Sequence, residues 1–107
     1  MQNKIELIRG DTLFLSIELI DYYGYPYQLK DTDKLVFTVK RSIYHNDVII
    51  QKQIDSSMNL TLEHDDTCNL KYGSYIYDVQ LTQEDNIVAT VIEPTPFILK
   101  GEVNYGI

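Results

Sequence analysis

The side chains that could act as acids, bases or nucleophiles are few in this chain, and they lie in polar turns. The imidazoles are those of His45 and His64, and Cys68 is the single cysteine. His64 and Cys68 stand four positions apart, so one helical turn would bring the imidazole beside the thiol. A nucleophile of this kind also needs an orienting cleft, which a short polar connection between strands does not supply. We therefore expect a protein that is not an enzyme, with Cys68 as a small apolar filler.

The carboxylates near these residues do not have the spacing of a metal site. Asp65 and Asp66 directly follow His64, but adjacent side chains do not readily converge on one ion, and the stretch contains no second imidazole. Asp31 and Asp33 resemble the start of a calcium loop, yet the later glycine and bidentate glutamate of that motif are missing at the required spacing. We expect no metal and no cofactor.

Tyrosine is used heavily, with nine tyrosines and no tryptophan in the chain. Phe14 lies on the outward side of the strand before a tyrosine-rich loop, and we group it with that loop as one candidate interaction surface. The members of this surface are Phe14, Tyr22, Tyr23, Tyr25 and Tyr27. Two interpretations stay open, since the rings either pack over the end of the domain or form a contact surface for a protein or a glycan.

The composition bounds the class of protein. A chain of 107 residues with 44% hydrophobic content predicts one domain, residues 1–107, with a single packed core. The net charge of −7 argues against non-specific binding of nucleic acid or anionic lipid, which needs clustered basic residues. A lone cysteine excludes an intrachain disulfide. The sequence shows no signal peptide and no membrane span, so we expect synthesis and folding in the cytoplasm.

Apolar and polar residues alternate through most of the chain, which predicts strands with one buried face. The predicted strands cover residues 5–8, 12–20, 35–41, 48–54, 60–62, 75–81, 87–92 and 97–103. Seven or eight short, mainly antiparallel strands separated by polar turns are typical of a β-sandwich or barrel.

Some details of this prediction depend on short segments. The mostly apolar residues 87–92 predict burial on both faces or a central position in a sheet. The two prolines after them predict a rigid, extended kink before the last strand. Lys52 leaves the buried face of the fourth strand ambiguous, because it shares that face with apolar residues. One helical turn, capped by Asp65 or Asp66, is predicted between the fifth and sixth strands.

Residues 70–81 contain the motif around which the fold is organised. Gly73 permits a sharp entry into the sixth strand, and Tyr75 completes the local pattern of the immunoglobulin tyrosine corner, whose hydroxyl bonds back to the preceding backbone. Tyr77 occupies the position at which antibody domains carry their second cysteine. Gly73, Tyr75 and Tyr77 are therefore the predicted structural corner of an all-β, immunoglobulin-like β-sandwich that lacks the disulfide.

A longer set of motifs carries a family resemblance. The motifs are Arg9-Gly10-Asp11-Thr12, Gly24-Tyr25-Pro26, residues 35–40, residues 70–81 and Thr90-Val91-Ile92. With them the chain resembles small β-sandwich proteins of phages and prophages of Gram-positive bacteria. It is similar in particular to the immunoglobulin-like N-terminal domain of siphophage upper baseplate proteins. The resemblance implies synthesis in the bacterial cytoplasm, a place in the virion, and a structural role in docking tail or baseplate components.

Two functions from different classes follow from these observations. As a structural or assembly protein, the chain would contact other virion proteins or itself, would bind neither nucleic acid nor membrane, and would bury its aromatic surface or an unpaired sheet edge. As a carbohydrate- or cell-surface-binding module, it would stack the rings of residues 22–27 on sugars, with Asp21 or Asp31 accepting hydroxyl hydrogen bonds. The second function requires weak, saturable glycan binding by a monomer, and the first does not.

Overall fold

A computed structural model describes residues 4–101, which form seven strands and one turn of α-helix. The strands are β1 (Ile5–Ile8), β2 (Leu13–Ser16), β3 (Lys34–Lys40), β4 (Val48–Ile54), β5 (Asn59–Leu62), β6 (Gly73–Gln83) and β7 (Ile87–Lys100). The helical turn α1 (His64–Thr67) follows β5, and a 3-10 turn at Glu84–Asn86 joins β6 to β7. The prediction of an all-β chain is confirmed. In the described part, no helix has the length and apolarity needed to span a membrane.

The strands lie in two sheets. The larger sheet has the order β1-β7-β6-β3-β4, and the smaller sheet contains β2 and β5. The β1–β7 pair is parallel, and the other pairs are antiparallel. The buried apolar cluster draws on β1, β3, β4, β6 and β7 of one sheet and on β5 of the other. The core therefore lies between the two sheets, as the alternating pattern requires.

Phe37 on β3 occupies the centre of this core. Its ring centroid lies 5.4 Å from that of Tyr77 on β6 and 6.5 Å from that of Phe97 on β7. All three side chains are buried, and Leu60 and Leu62 of β5 belong to the same cluster. The period-two patterns of β3 and β6 thus give one shared inner face.

The last two predicted strands form a single strand, and the kink predicted between them falls on an irregular stretch of its ladder. β7 runs through Pro94 and Pro96 without a break. Its ladder with β6 is irregular here, because the register passes from Tyr77 opposite Thr95 to Val79 opposite Ile92. Pro94 falls inside this irregular stretch, where a residue without an N–H disturbs the ladder least. The end of the predicted strand, residues 102 and 103, lies outside the described residues.

For residues 87–92, burial on both faces is wrong, whereas β7 as a whole has the alternative central position, between β1 and β6. Ile87 and Val88 are exposed, and residues 87–90 are exposed throughout. The smaller sheet consists of two strands of only four residues each, which is too short to cover this end of β7. The apolar composition of the segment therefore reflects strand propensity rather than burial.

Lys52 and the cap of α1 are explained by one contact. Lys52 shares the inner side of β4 with the buried Ile50 and Ile54, and its amino group lies 2.7 Å from an Asp66 carboxylate oxygen. The same carboxylate accepts the Glu63 N–H at 2.7 Å. Glu63 is the N-cap residue and Asp66 the third helical residue, so the predicted cap at Asp65 or Asp66 is wrong by two or three positions.

Candidate functional site

The tyrosine-rich loop is held by its own backbone. A bridge joins Ile20 to Pro26 at its base. One carboxylate oxygen of Asp21 accepts the N–H groups of Tyr23 and Tyr25, at 2.9 and 3.0 Å. The Asp21 N–H in turn donates to the Tyr25 carbonyl at 2.7 Å. Gly24 adopts a φ of 88°, a left-handed conformation that glycine reaches without strain. The loop is therefore an ordered turn that presents its side chains in fixed directions.

Three of the predicted surface residues project from this loop into solvent. The side chains of Tyr22, Tyr23 and Tyr25 are 95%, 80% and 68% exposed. The Tyr22 and Tyr23 rings meet edge to face, with centroids 5.3 Å apart. We call these three residues the tyrosine group. The interpretation in which all four loop tyrosines pack over the end of the domain does not describe them.

Tyr27 does not belong to the tyrosine group, and its predicted place in the exposed surface is corrected. It is half-buried against the core. Its hydroxyl donates to an Asp33 carboxylate oxygen at 2.6 Å and accepts from the Gln83 side-chain amide at 3.1 Å. The hydrogen bond to Asp33 is the main cause that raises the pKa of the Tyr27 hydroxyl. Tyr27 therefore ties the loop to β6 and serves the structure.

The Asp33 carboxylate accepts hydrogen bonds from two nearby groups. It accepts the Lys30 N–H at 2.9 Å as well as the Tyr27 hydroxyl. The Lys30 N–H, then the Tyr27 hydroxyl, lowers the pKa of the Asp33 carboxyl. These bonds close the turn between the tyrosine-rich loop and β3.

Phe14 lies on β2, apart from the tyrosine group. Its side chain is 77% exposed, and that of Ile20, six positions later on the same outward side, is 69% exposed. The inward neighbours Leu15 and Ile17 are half-buried. Both outward residues were visible in the sequence, because they break the alternation of an otherwise polar face.

A cleft that the sequence does not reveal opens beside β2. Its volume is about 700 Å³. Its lining consists of residues 15–20, Lys4 and Ile5, Phe37, Tyr77, and Val91 and Ile92 of β7. Burial raises the pKa of the Tyr77 hydroxyl. The smaller sheet has two strands and the larger sheet has five. The smaller sheet therefore leaves part of the larger sheet uncovered, and the cleft lies there.

The predicted structural corner is assembled by residues 71–77. Gly73 adopts a φ of 140°, at the edge of the region that favours glycine. The buried Tyr75 donates its hydroxyl hydrogen to the Lys71 carbonyl at 2.7 Å. Tyr77 is buried beside Phe37. The hydrogen bond is the one that the sequence motif predicts.

The turn Arg9-Gly10-Asp11 is fastened to α1 and the segment after it. The Gly10 N–H donates to the buried Thr67 hydroxyl at 2.8 Å, and Arg9 donates to the Leu70 carbonyl at 3.1 Å. The Arg9 guanidinium also lies 4.2 Å from the centre of the Tyr72 ring, a cation–π contact. These contacts attach the turn between β1 and β2 to the segment that leads from α1 into β6.

His64, Asp65 and Cys68 come together on α1. Their ligand-type atoms all lie within 4.8 Å of one another, so the expectation that adjacent residues would not converge is wrong for His64 and Asp65. The Nδ1 atom of His64 lies 2.8 Å from the Gly10 carbonyl oxygen, which commits that nitrogen to the backbone. His64 therefore links α1 to the turn between β1 and β2. His45 lies elsewhere, in an exposed turn, with its Nδ1 atom 2.7 Å from the Ser42 hydroxyl.

The outer face of the larger sheet carries a shallow groove of about 370 Å³ around Asp78. Asp78 falls in the irregular part of the β6–β7 ladder, and Ile76 and Pro94 flank it in the groove. Partial burial raises the pKa of the Asp78 carboxyl, and the charge of Lys40 opposes this effect. Sequence patterns do not reveal this groove, because Asp78 occupies an ordinary outward position of an alternating strand.

The described surface therefore offers an ordered aromatic loop, an exposed strand edge beside a cleft, and a shallow groove that contains Asp78 and Lys40. When the sequence is compared with models of protein families and with curated proteins, neither comparison finds a match.

Proposed function

We propose that this protein is a non-enzymatic structural or assembly module that works through protein–protein contacts. The observation that carries the proposal is the tyrosine group. Large rings that are exposed on an ordered loop can bury much apolar surface at a small cost in conformational entropy, as interface and paratope tyrosines do. Asp21 holds the loop in place before any partner arrives, which lowers the cost of binding.

We include in this proposal an immunoglobulin-like architecture for the sandwich. In immunoglobulin domains, one sheet contains the third, sixth and last strands. The larger sheet here likewise contains β3, β6 and β7, with β6 between the other two. The Tyr75–Lys71 hydrogen bond stands at the start of β6. Phe37 packs on Tyr77, where antibody domains pack a tryptophan against their disulfide.

The setting that the sequence resemblance suggests is a phage or prophage particle, and we propose a tail or baseplate component as the neighbour. The proposal rests on the resemblance of the motifs given above to those of baseplate proteins, and on the net charge of −7, which disfavours nucleic acid as the partner. In this setting the tyrosine group would contact another virion protein.

A carbohydrate- or cell-surface-binding module is the second candidate. A cleft of about 610 Å³, which includes Ile20, Pro26 and Tyr27 in its lining, lies beside the loop and favours it. Two observations weigh against it. The Tyr22 and Tyr23 rings stand nearly perpendicular and so offer no shared flat platform for a sugar. One oxygen of Asp21, an expected hydroxyl acceptor, already accepts two backbone N–H groups.

Three proteins test the choice between these functions. They are the native chain, the double variant Tyr22→Ser/Tyr25→Ser, and the control Tyr44→Ser, which removes a tyrosine that is equally exposed in another turn. Each is immobilised and exposed to extract from phage-producing cells, and retained proteins are identified and quantified. The same proteins are applied to a glycan array.

The assembly function predicts one protein retained in stoichiometric amount by the native chain and the Tyr44→Ser control, and lost with the double variant. Equal retention by all three proteins would contradict a role for the tyrosine group. Saturable glycan binding that the double variant loses would replace the assembly function with the second candidate.

A further inference from the structure

β2 has an open edge, with which no strand of residues 4–101 pairs. Its other edge pairs with β5. Beyond Ser16, the Ile17 N–H donates to the Met58 carbonyl at 2.8 Å, and the Leu19 carbonyl accepts the Tyr27 N–H at 2.9 Å. Odd-numbered residues therefore direct their backbone groups toward β5 and the tyrosine-rich loop. Because these groups alternate in direction along an antiparallel strand, the even-numbered residues direct theirs toward the open side.

The open edge extends past the end of the β2 ladder. Residues 13–20 alternate throughout between half-buried odd positions and exposed even positions, as an extended chain does. The even positions are Phe14, Ser16, Glu18 and Ile20. Among the described residues, no strand pairs with the backbone groups of these four positions, and an exposed apolar side chain stands at each end of the edge.

The edges of the larger sheet are protected against further pairing. On β4, Lys52 points inward and a bulge shifts the register opposite Val39 and Lys40. On β1, Glu6 forms ion pairs with Lys4 and Lys100 at 3.0 and 2.8 Å. Inward charges, bulges and charged side chains are the usual means of blocking edge-to-edge association. The β2 edge carries one charge, Glu18, and shows no bulge within its ladder.

The sequence of the edge matches itself in one antiparallel register. If Ile17 faces its own copy on a two-fold axis, Ser16 lies opposite Glu18 of the partner subunit, and Phe14 lies opposite Ile20 of the partner subunit. These even-numbered residues form the hydrogen-bonded pairs that the open backbone groups require. The pairs also match by type, since polar meets polar and apolar meets apolar.

The registers centred on Ser16 or on Glu18 place less compatible side chains opposite each other than the register centred on Ile17. Centring the pair on Ser16 places Phe14 opposite Glu18 of the partner subunit, an apolar ring against a carboxylate. Centring it on Glu18 places two like charges directly opposite each other, which is destabilising. A slip by a single residue would bring odd-numbered residues to the edge, where their backbone groups already face β5.

We propose that two copies of this chain associate through their β2 edges in the register centred on Ile17. The two smaller sheets join into one sheet of order β5-β2-β2-β5, held by about eight backbone hydrogen bonds, two for each hydrogen-bonded pair. The inner side chains continue across the axis, with Leu15 against Leu19 of the partner subunit. The added strand lies beside the 700 Å³ cleft and shields its apolar lining from water.

This association is independent of the tyrosine group and goes beyond the proposed function. Antiparallel pairing about a two-fold axis is a closed, isologous contact. The two tyrosine groups lie at opposite ends of the joined sheet, since each follows Ile20 in its own chain. The dimer would therefore be bivalent toward a partner that binds the loop.

The first test is solution mass by light scattering over a range of concentrations. We expect the native chain to be a dimer. Phe14→Ser should raise the dimer dissociation constant by roughly tenfold or more, because the ring is buried twice per dimer. Ser16→Pro should abolish the dimer, since its N–H faces the open side and the ladder to β5 does not use it. Tyr44→Ser, and Tyr22→Ser with Tyr25→Ser, should leave the mass unchanged.

The second test is a disulfide across the axis. Ile17 and Ile17 of the partner subunit form a non-hydrogen-bonded pair, with Cα atoms about 4.5 Å apart, which a disulfide spans. In a Cys68→Ser background, Ile17→Cys should form a covalent dimer in oxidised glutathione. The control Gln51→Cys in the same background, on the β4 strand, should remain uncrosslinked.

Far-UV circular dichroism establishes that each variant is folded. A native chain that is monomeric at every concentration would overturn the proposal. It would equally be overturned by a dimer that survives Ser16→Pro, or by Ile17→Cys crosslinking no faster than Gln51→Cys. A dimer lost only in the tyrosine double variant would assign self-association to the loop instead, and would refute the β2 contact.

Discussion

The Tyr75 hydroxyl donates a hydrogen bond of 2.7 Å to the carbonyl oxygen of Lys71, four residues earlier in the chain. The Tyr75 ring is buried in the core, so this bond fixes the segment that enters β6 to the strand itself. Arg9 and Gly10 fasten the same region from the β1–β2 turn through Leu70 and Thr67. Both ends of the β6 entry are thereby anchored.

Tyr75→Phe should lower the free energy of unfolding by about 1–2 kcal/mol, because the Lys71 carbonyl loses its partner while the ring remains. Urea denaturation monitored by circular dichroism measures the change. Tyr44→Phe removes a hydroxyl from an exposed ring and should change the value by less than about 0.5 kcal/mol. Equal effects of the two substitutions would show that the corner bond adds nothing to stability.

Asp66→Ala should cost about 1–2 kcal/mol, because one carboxylate serves both the Glu63 N–H and the amino group of Lys52. Asp65→Ala is the matched control, since Asp65 is exposed in the same first helical turn and interacts equally with the helix dipole. Thermal unfolding of both variants measures the difference. A loss for Asp65→Ala as large as that for Asp66→Ala would rule out the shared contact.

The Glu6 carboxyl should titrate well below its ordinary range. Hydrogen bonds and charge from Lys100, and then from Lys4, lower the pKa of Glu6 from 4.5 to about 2. The folded state therefore binds fewer protons than the unfolded state. The contribution of Glu6 to stability is complete above pH 4.5 and is lost as the pH falls toward 2.

Carboxyl chemical shifts from NMR, followed through acid pH, measure the Glu6 pKa directly. Added salt should move the pKa upward, because the three side chains are partly exposed and salt screens their charges. Lys100→Met should do the same at low salt. A normal Glu6 pKa in the native chain would mean that the β1 and β7 charges do not meet in solution.

Asp78→Asn should stabilise the protein at neutral pH. Partial burial raises the pKa of Asp78, so the folded state binds more protons than the unfolded state, and its stability falls as pH rises through this range. The difference between Asp78→Asn and the native chain should shrink below pH 3.8, where both side chains are neutral. Asp47→Asn removes the same charge from an exposed turn, and a gain in stability equal to that of Asp78→Asn would exclude burial as the cause.

Local periodicity predicted much of the fold. The inner faces of β3 and β6 follow from strict alternation in residues such as Phe37 and Tyr77, and the corner bond follows from the spacing of Gly73 and Tyr75. The exposure of Phe14 follows from its place on the polar side of a strand. Each of these features depends on neighbours within a few positions in the chain.

The features that were predicted wrongly, or not at all, depend on distant segments. Lys52 has an inward position because Asp66 meets it across the sandwich. Val88 is exposed because the smaller sheet is short. Tyr27 is half-buried, unlike Tyr22, Tyr23 and Tyr25, because its hydroxyl forms hydrogen bonds with Asp33 and with Gln83 of β6. Single-sequence patterns contain no record of which strands lie opposite one another.

The parallel pairing of Ile5 with Phe97 also constrains the order of folding. The β6–β7 hairpin can form locally, but β1 must wait for a strand more than ninety residues later in the chain. Contacts between such distant segments slow folding, because a long loop must close before they form. On the ribosome, β1 would emerge before the other six described strands and would pair only after β7 had emerged. Until then, the apolar side chains of β1 are available to bind chaperones.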